Sequence, residues 1–432
     1  MVWFLILACF LFSLKRFFND FGWLVEMVLV GVVGKPNAGK TTFLNASCMT
    51  SAKVADYPFT TVEANKGIAY VRRECVCKEF GVEDSPKNSL CVEGTRLIPV
   101  EVLDVAGLVP DAWQGRGLGN KFLDDLRRAD VLIHVVDGSG SLDAEGNPVE
   151  PGSRNPLEDV LFLEREITMW LIEIIKRDWD KACRRVETEK IKLADLLTDR
   201  LSGLAVKREH ILQALLDSGL KAEAEKPKSW SDEDLYNFVN VLRKVAKPML
   251  IALNKVDRPY SKKFIDKLKE EIEECIVVPC STLAEYFLRK TVEKEAISYV
   301  PGDSGYNIVD RSKLSNKEVE MLGRIDEEIL KVYGSCGVQE AIDKAMFDLL
   351  GYIVVFPVED ASKLTDHEGR VLPDAFLVPK GTTAKQFAGM IHEDLAKTFI
   401  NAIDVRKHAR MGADHILEDN MVIKITAAGA RG

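Results

Sequence analysis

Gly34-Lys35-Pro36-Asn37-Ala38-Gly39-Lys40-Thr41, preceded by the apolar run Val28 to Val33, decides how this chain is read. The octet fits G-x-x-x-x-G-K-[ST] at every position. Glycines let such a loop curl so that its N–H groups face a phosphate chain. Lys40 then reaches the β- and γ-phosphates, and Thr41 offers a hydroxyl to Mg²⁺. The apolar run reads as a buried strand, and Thr41 to Ser47 opens a helix, carrying Thr42, whose positive end adds to the anion site. Strand, loop and helix fall where phosphate chemistry needs them, so the stretch is assigned as a phosphate-binding loop.

Around that loop the chain has 432 residues, room for two or three domains. Hydrophobic content of 47% and charged content of 29% fit a globular protein. A net charge of −9 argues against a chain basic throughout, and DNA is not expected as a partner, although a local basic patch can still bind RNA. A nucleotide-driven protein points to the cytoplasm, where the nine cysteines stay reduced. Cys75-Val-Cys77 with Cys91 brings three thiols but no Cys-x-x-Cys pair, so these are read as small loop residues rather than a metal site.

Residues 1–26 stand apart. Val2 to Leu14 is an apolar run broken only by Ser13, shorter than the ~20 residues that span a bilayer. No basic region precedes it and no small-x-small cleavage site follows. The leading expectation is an upstream start assignment with the working protein beginning at Met27; a membrane anchor is the alternative.

Downstream of the loop, Ala55 to Gly67 holds Thr60 and Thr61, and a threonine there closes onto Mg²⁺ and the γ-phosphate in a nucleotide switch. Thr61 is the better candidate. Strands at 68–72 and 97–103 flank a polar loop, and the second ends in Asp104-Val-Ala-Gly107. Asp104 is placed to hold Mg²⁺ through water, and Gly107 to bring a backbone N–H to the γ-phosphate. Leu108 follows, where Ras-type GTPases carry the glutamine that orients water. The Gly115 to Gly119 stretch suits a moving segment. Strand Val131 to Val136 contains His134, read as a core histidine.

Residues 138–156 are turn-rich, and helical stripes then run to Ala246, with Lys176 to Lys192 read as a solvated arm. Strand Met249 to Leu253 delivers Asn254-Lys255-Val256-Asp257. Asp257 in this motif accepts hydrogen bonds from guanine N1–H and its exocyclic amine, and adenine would leave that carboxylate unpaired. Ser281 and Thr282, after the strand at 275–279, sit where a loop touches the base edge. From Tyr352 the chain reads as a β-rich module around one helix, with a basic cluster at Arg406-Lys407-His408-Ala409-Arg410 as a candidate RNA contact.

These motifs, with Tyr57-Pro-Phe-Thr-Thr61 and Gly115-x-Gly-Leu-Gly-Asn-Lys-Phe-Leu123, resemble the Obg/YchF GTPases of the translation-factor-like class, most of all their archaeal branch. The resemblance covers residues 28–428. It implies an α/β fold: a Ras-like P-loop G domain with an inserted helical subdomain, plus a C-terminal β-grasp (TGS) domain. The expected boundaries are 28–140 and 247–350 for the G domain with its connecting helices, 141–246 for the insertion and 351–432 for TGS, after an extension at 1–27. It also implies slow hydrolysis of GTP with Mg²⁺, and association with the ribosome or structured RNA through the TGS domain and the helical arm. A membrane is expected only if residues 1–26 are genuine. A nucleotide-gated binding module with incidental turnover, or an ATP-accepting relative, are the alternatives. Many YchF proteins have lost Asn-Lys-x-Asp and prefer ATP; retention here carries over GTP. Several relatives place a hydrolytic His after the Asp-x-x-Gly-Leu motif, where this chain has Trp113, with Gln114 as a weak substitute. GTPases lacking the glutamine often pair with a loop Asn that helps bind K⁺, and Asn37 fits that position. Asn37, Lys40, Thr61 and Gly107 are therefore the expected catalytic set, and Thr41, Thr61 and Asp104 the metal ligands.

Overall fold

The computed structural model describes residues 27–48, 65–107, 119–272 and 275–428. Thr60, Thr61, Leu108, Trp113, Gln114 and the N-terminal extension lie outside them. By their contacts the described residues form two units: Leu29–Tyr70 with Val100–Leu350, and Val71–Pro99 with residues from Gly351 onward.

In the larger unit the order of neighbours in the sheet follows from which strands are apolar on both faces. Those are β1 (Leu29–Val33), β5 (Val131–Asp137) and β6 (Met249–Asn254), every residue of which is buried. Strands sealed on both faces belong in the middle of a parallel sheet covered by helices. The observed order is β2-β4-β1-β5-β6-β7, with β2 at Lys66–Glu74, β3 at Leu90–Val92 paired to β4 (Thr95–Asp104), and β7 at Val277–Pro279. β1 pairs in parallel with β4 and β5, and β5–β6–β7 continue in parallel. The strand ends carrying Val33, Asp104, Asp137 and Asn254 therefore lie along one sheet edge. Helix α1 (Lys40–Ser47) follows the phosphate loop.

Between β5 and β6 come five helices longer than a single turn. They are α2 (Pro156–Lys176), α3 (Trp179–Glu189), α4 (Leu193–Leu201), α5 (Arg208–Asp217) and α6 (Asp232–Ala246). Here the structure corrects the solvated arm. Ala182, Cys183 and Val186 of α3 are buried, and Trp179 meets Trp230 at 5.7 Å between ring centroids. Val186, Leu197, Leu215 and Phe238 share one apolar cluster with Leu29, Leu103 and Phe122 under the sheet. The charged letters of 176–192 occupy only the outer face of a helix whose inner face is core. Ser231 caps α6 through a reciprocal bond with Asp234, and Ser315 does the same with Glu318 for the helix Asn316–Ile325, as their spacing predicts.

The larger unit also carries the short antiparallel pair β8 (Ile297–Ser298) and β9 (Asn307–Ile308). In the smaller unit, β10 (Tyr352–Val358), β11 (Phe376–Pro379), β12 (Phe399–Asp404), β13 (Ala409–Met411) and β14 (Met421–Ala427) form a sheet in the order β11-β10-β14-β12-β13. The helix Ala384–Ile391 packs Phe387 into its core. This is the β-grasp arrangement, with β10 and β14 parallel at its centre. β12 and β13 had no reading in the sequence. The basic cluster spans the turn between them and the start of β13, and two of its four basic side chains are spent internally. Arg406 forks onto Glu79 at 2.6 Å through both Nε and Nη2, and Lys407 pairs with Glu418 at 3.2 Å. A free basic patch is thereby reduced to His408 and Arg410. Among the described residues no helix is long and apolar enough to cross a membrane.

Candidate nucleotide-binding site

β1 releases the chain at the carboxyl edge of the sheet, where open parallel sheets hold ligands. The loop then turns through conformations that side chains resist. Gly34 has φ 143°, with the Val135 carbonyl oxygen 2.4 Å from where a Cβ would stand. Gly39 has φ 111°, with Asn254 Nδ2 only 2.2 Å from such a Cβ. Asn37 has φ 60°, the left-handed region that asparagine tolerates best after glycine.

Lys40 is buried, and its Nζ donates to the Lys35 carbonyl at 3.0 Å. Burial lowers its pKa, and the nearby Asp104 carboxylate opposes that shift. A Cβ on Gly107 would lie 3.3 Å from Lys40 Nζ, so the Asp-x-x-Gly segment runs directly beside the lysine. Thr41 Oγ1 donates to Asp104 Oδ2 at 2.5 Å. Asp104 Oδ1 is buried with no hydrogen-bond partner. An orphaned carboxylate oxygen next to a hydroxyl is a hard-oxygen donor set, which fits Mg²⁺. Thr41 and Asp104 are thus brought together as expected.

At the other end, Asn254 does more than its position in the motif suggests. Its Nδ2 donates to the Ala38 carbonyl at 2.9 Å, and its Oδ1 accepts from the Thr282 N–H at 3.0 Å. One buried amide therefore ties the phosphate loop to the 281–282 turn. Ser281 Oγ donates to Asp257 Oδ1 at 2.8 Å, orienting a carboxylate that stays exposed at the site's rim. Lys255, at φ 66°, pairs its Nζ with Asp137 Oδ2 at 3.1 Å. Burial lowers the Lys255 pKa, and Asp137 opposes that. For Asp137, burial is the largest influence and raises the pKa. Hydrogen bonds from Ser139 and Ser141 and the Lys255 charge outweigh it, leaving the carboxyl below its ordinary value.

The turn-rich segment after β5 is the part of the site that the sequence did not reveal. Lys35 Nζ donates to the Leu142 carbonyl at 3.1 Å and pairs with Asp159 of α2 at 2.7 Å. Asn37 Nδ2 donates to the Gly146 carbonyl at 3.1 Å. Residues 142–146 thereby brace the outer side of the phosphate loop. The available signal was Asp137-Gly-Ser-Gly-Ser141, in which the Asp137 carboxylate caps both serine hydroxyls at 2.7 Å. His134 is a core residue, 2% exposed; burial, then Lys40 and Lys35, lower its pKa to about 3.

Residues 29–172 match the family described as 50S ribosome-binding GTPase. Residues 252–360 match the G4 motif-containing domain of the Obg-like, YGR210-like GTPases, and residues 368–427 match the TGS domain. An uncharacterized GTP-binding protein of Methanocaldococcus jannaschii is 49% identical over 402 residues, which is 93% of this chain and 100% of that protein. The crystal structure of a GTP binding protein from Pyrococcus horikoshii OT3 superposes with a TM-score of 0.74 at 37% identity, covering 93% of this chain and 100% of its own. The Bacillus subtilis protein named ribosome-binding ATPase YchF is 26% identical over 383 residues, 86% of this chain and 87% of its own length.

Proposed function

This chain belongs to the Obg-like, YchF-type GTP-binding proteins with a C-terminal TGS domain, and from that premise we propose that it hydrolyses GTP to GDP and phosphate as a switch associated with the ribosome or its RNA. The observation that carries the nucleotide choice is Asp257, oriented by Ser281 where Asn254 joins the phosphate loop to the base-side turn. A carboxylate fixed there accepts two guanine donors, whereas adenine presents none in that arrangement. Asn254 acts as a brace between phosphate and base ends, and Asp257 is the reader.

At the phosphate end, loop N–H groups and Lys40 hold the phosphate oxygens, and Gly107 brings its N–H to the γ-phosphate. Thr41 and Asp104, which meet through a hydrogen bond, would hold Mg²⁺ together with Thr61. When bound, that ion supplies positive charge to the phosphate oxygens. Asn37, whose Nδ2 donates to the Gly146 carbonyl, would help hold a K⁺, which would supply the charge that an arginine supplies in other GTPases. Single-turnover hydrolysis in K⁺ and in Na⁺ tests that part, and equal rates remove it.

The ribosome association rests on the TGS domain and on the YchF relative named for ribosome binding. Single-turnover hydrolysis with and without ribosomes separates an enzyme-timed switch from a binding module. Strong stimulation is expected; binding without stimulation favours the module.

A further inference from the structure

The smaller unit contains a group of side chains that nucleotide chemistry does not use. Cys75, Cys77, Asp84 and Cys91 each direct one ligand atom into a space where all four atoms lie within 4.8 Å of one another. Cys75 Sγ stands 3.2 Å from Asp84 Oδ2, and Cys77 Sγ stands 3.9 Å from Cys91 Sγ. Around a tetrahedral zinc with Zn–S of about 2.3 Å, neighbouring sulfurs are separated by about 3.8 Å. The Cys77–Cys91 separation is close to that edge, the Cys75–Asp84 separation lies a little inside it, and the remaining ones need to close by about 1 Å or less. A disulfide would need sulfurs at about 2.05 Å, so Cys77 and Cys91 are spaced as co-ligands.

The backbone that presents these groups is built for it. Cys75 and Cys77 flank the start of the short helix Val76–Phe80, which Gly81 ends at φ 62° by donating its N–H to the Cys77 and Lys78 carbonyls. Cys91 comes from β3, whose two-residue turn to β4, Glu93-Gly94, has φ 51° and 74°. Positive φ at both positions makes that turn a tight hairpin. The Cys75 N–H donates to the Gly94 carbonyl at 2.9 Å, locking the helix start to the hairpin. Asp84 supplies the fourth ligand that the sequence lacked.

Second-sphere chemistry agrees. Three thiolates and a carboxylate around a divalent ion leave excess negative charge. Arg96, fully buried, places its guanidinium 3.3 Å from Asp84 Oδ2 and offsets one unit of it. A surface cleft lined by Cys77, Gly81, Asp84, Cys91 and Gly94 gives an ion access. The segment has little apolar core of its own, with Val71, Val76, Leu97 and Ile98 its fully buried aliphatic residues, so a staple has much to stabilise.

We propose that Cys75, Cys77, Asp84 and Cys91 form a structural tetrahedral zinc site that braces the segment Val71–Pro99 against the TGS sheet. Within that unit the segment is already joined to the loop that leads into the sheet's strand Phe376–Pro379. Ser85 N–H donates to the Val371 carbonyl at 2.8 Å, and Asn88 exchanges two hydrogen bonds with Ala375.

The test is metal analysis of the full chain, purified under reducing, chelator-free conditions and desalted after exposure to Zn²⁺. About one zinc per chain is expected, falling to under about 0.1 in Cys77→Ser/Cys91→Ser. Amide hydrogen-exchange protection of the TGS sheet, measured on the same samples, reports whether the smaller unit of that variant folds. If it does not, Co²⁺ added to the wild-type protein after zinc removal gives the second readout. Tetrahedral ligand-field bands with thiolate charge transfer support the site, and Asp84→Asn weakens them. A wild-type chain that retains under about 0.1 zinc and gives no such Co²⁺ spectrum overturns the proposal.

Discussion

Asp257 and Ser281 meet across 24 residues of sequence through one hydrogen bond, and in the proposed site that bond orients the carboxylate that reads the base. Asp257→Asn replaces an acceptor-only carboxylate with an amide that presents a donor to guanine's own donors. GTP affinity is expected to fall by roughly 10- to 100-fold, the loss of charge-assisted bonds of about 1.5–3 kcal/mol. Affinity for xanthosine triphosphate, which carries a carbonyl where guanine has its amine, should rise. Titration with the two nucleotides decides it; an unchanged GTP affinity would remove Asp257 from the base site. His134 offers a test at acid pH. Its folded pKa of about 3 lies below its unfolded value of about 6.5, so the unfolded chain binds more protons between these limits. Stability is complete above the unfolded value and is lost as pH falls through that window. The denaturation midpoint should therefore drop between pH 7 and pH 5, and drop less in His134→Gln. The burial-lowered His210 adds to the drop in both proteins. Parallel pH profiles for the two would show that His134 does not control this limb.

At the scale of elements, the phosphate loop is held from two sides, by Asn254 beneath and by residues 142–146 outside. Gly39→Ala places a methyl where Asn254 Nδ2 now sits, in a left-handed conformation costing about 1–3 kcal/mol. Nucleotide affinity is expected to collapse while the TGS sheet, in the other unit, keeps its amide protection from hydrogen exchange. Protection lost in both units would mean that the substitution acts on global folding instead. The element scale also shows what the sequence could and could not reveal. Phosphate loop, Asp104, Asn254 and Asp257 were readable because each motif sits at a strand end with a fixed chemical task. The bracing by Leu142 and Gly146 was not, because backbone carbonyls do the work and any residue type supplies them. Asp84 was not singled out for a related reason: one carboxylate in a polar loop has no spacing signature until the fold brings it within 4.8 Å of the thiols.

For the whole molecule, the apolar stripes predicted the helical insertion, but periodicity alone did not say that α3 buries its inner face on the G-domain core. The same limit hid β12 and β13, whose short, mixed-polarity strands alternate too weakly to stand out. Arg406 shows how a local cluster misleads: a cation read as an RNA contact is committed to Glu79 and to the Asn420 carbonyl. Ribosome association is therefore expected to survive Arg406→Ala better than His408→Ala/Arg410→Ala in co-sedimentation with a GTP analogue. Equal losses would return Arg406 to the contact surface. The proposed activity is guanine-specific nucleotide hydrolysis, and steady-state phosphate release from GTP and from ATP at matched Mg²⁺ tests it most directly. A kcat/KM for GTP at least roughly 100-fold above that for ATP is predicted, the discrimination that an unpaired carboxylate imposes on the wrong base. Equal or faster turnover of ATP would contradict it.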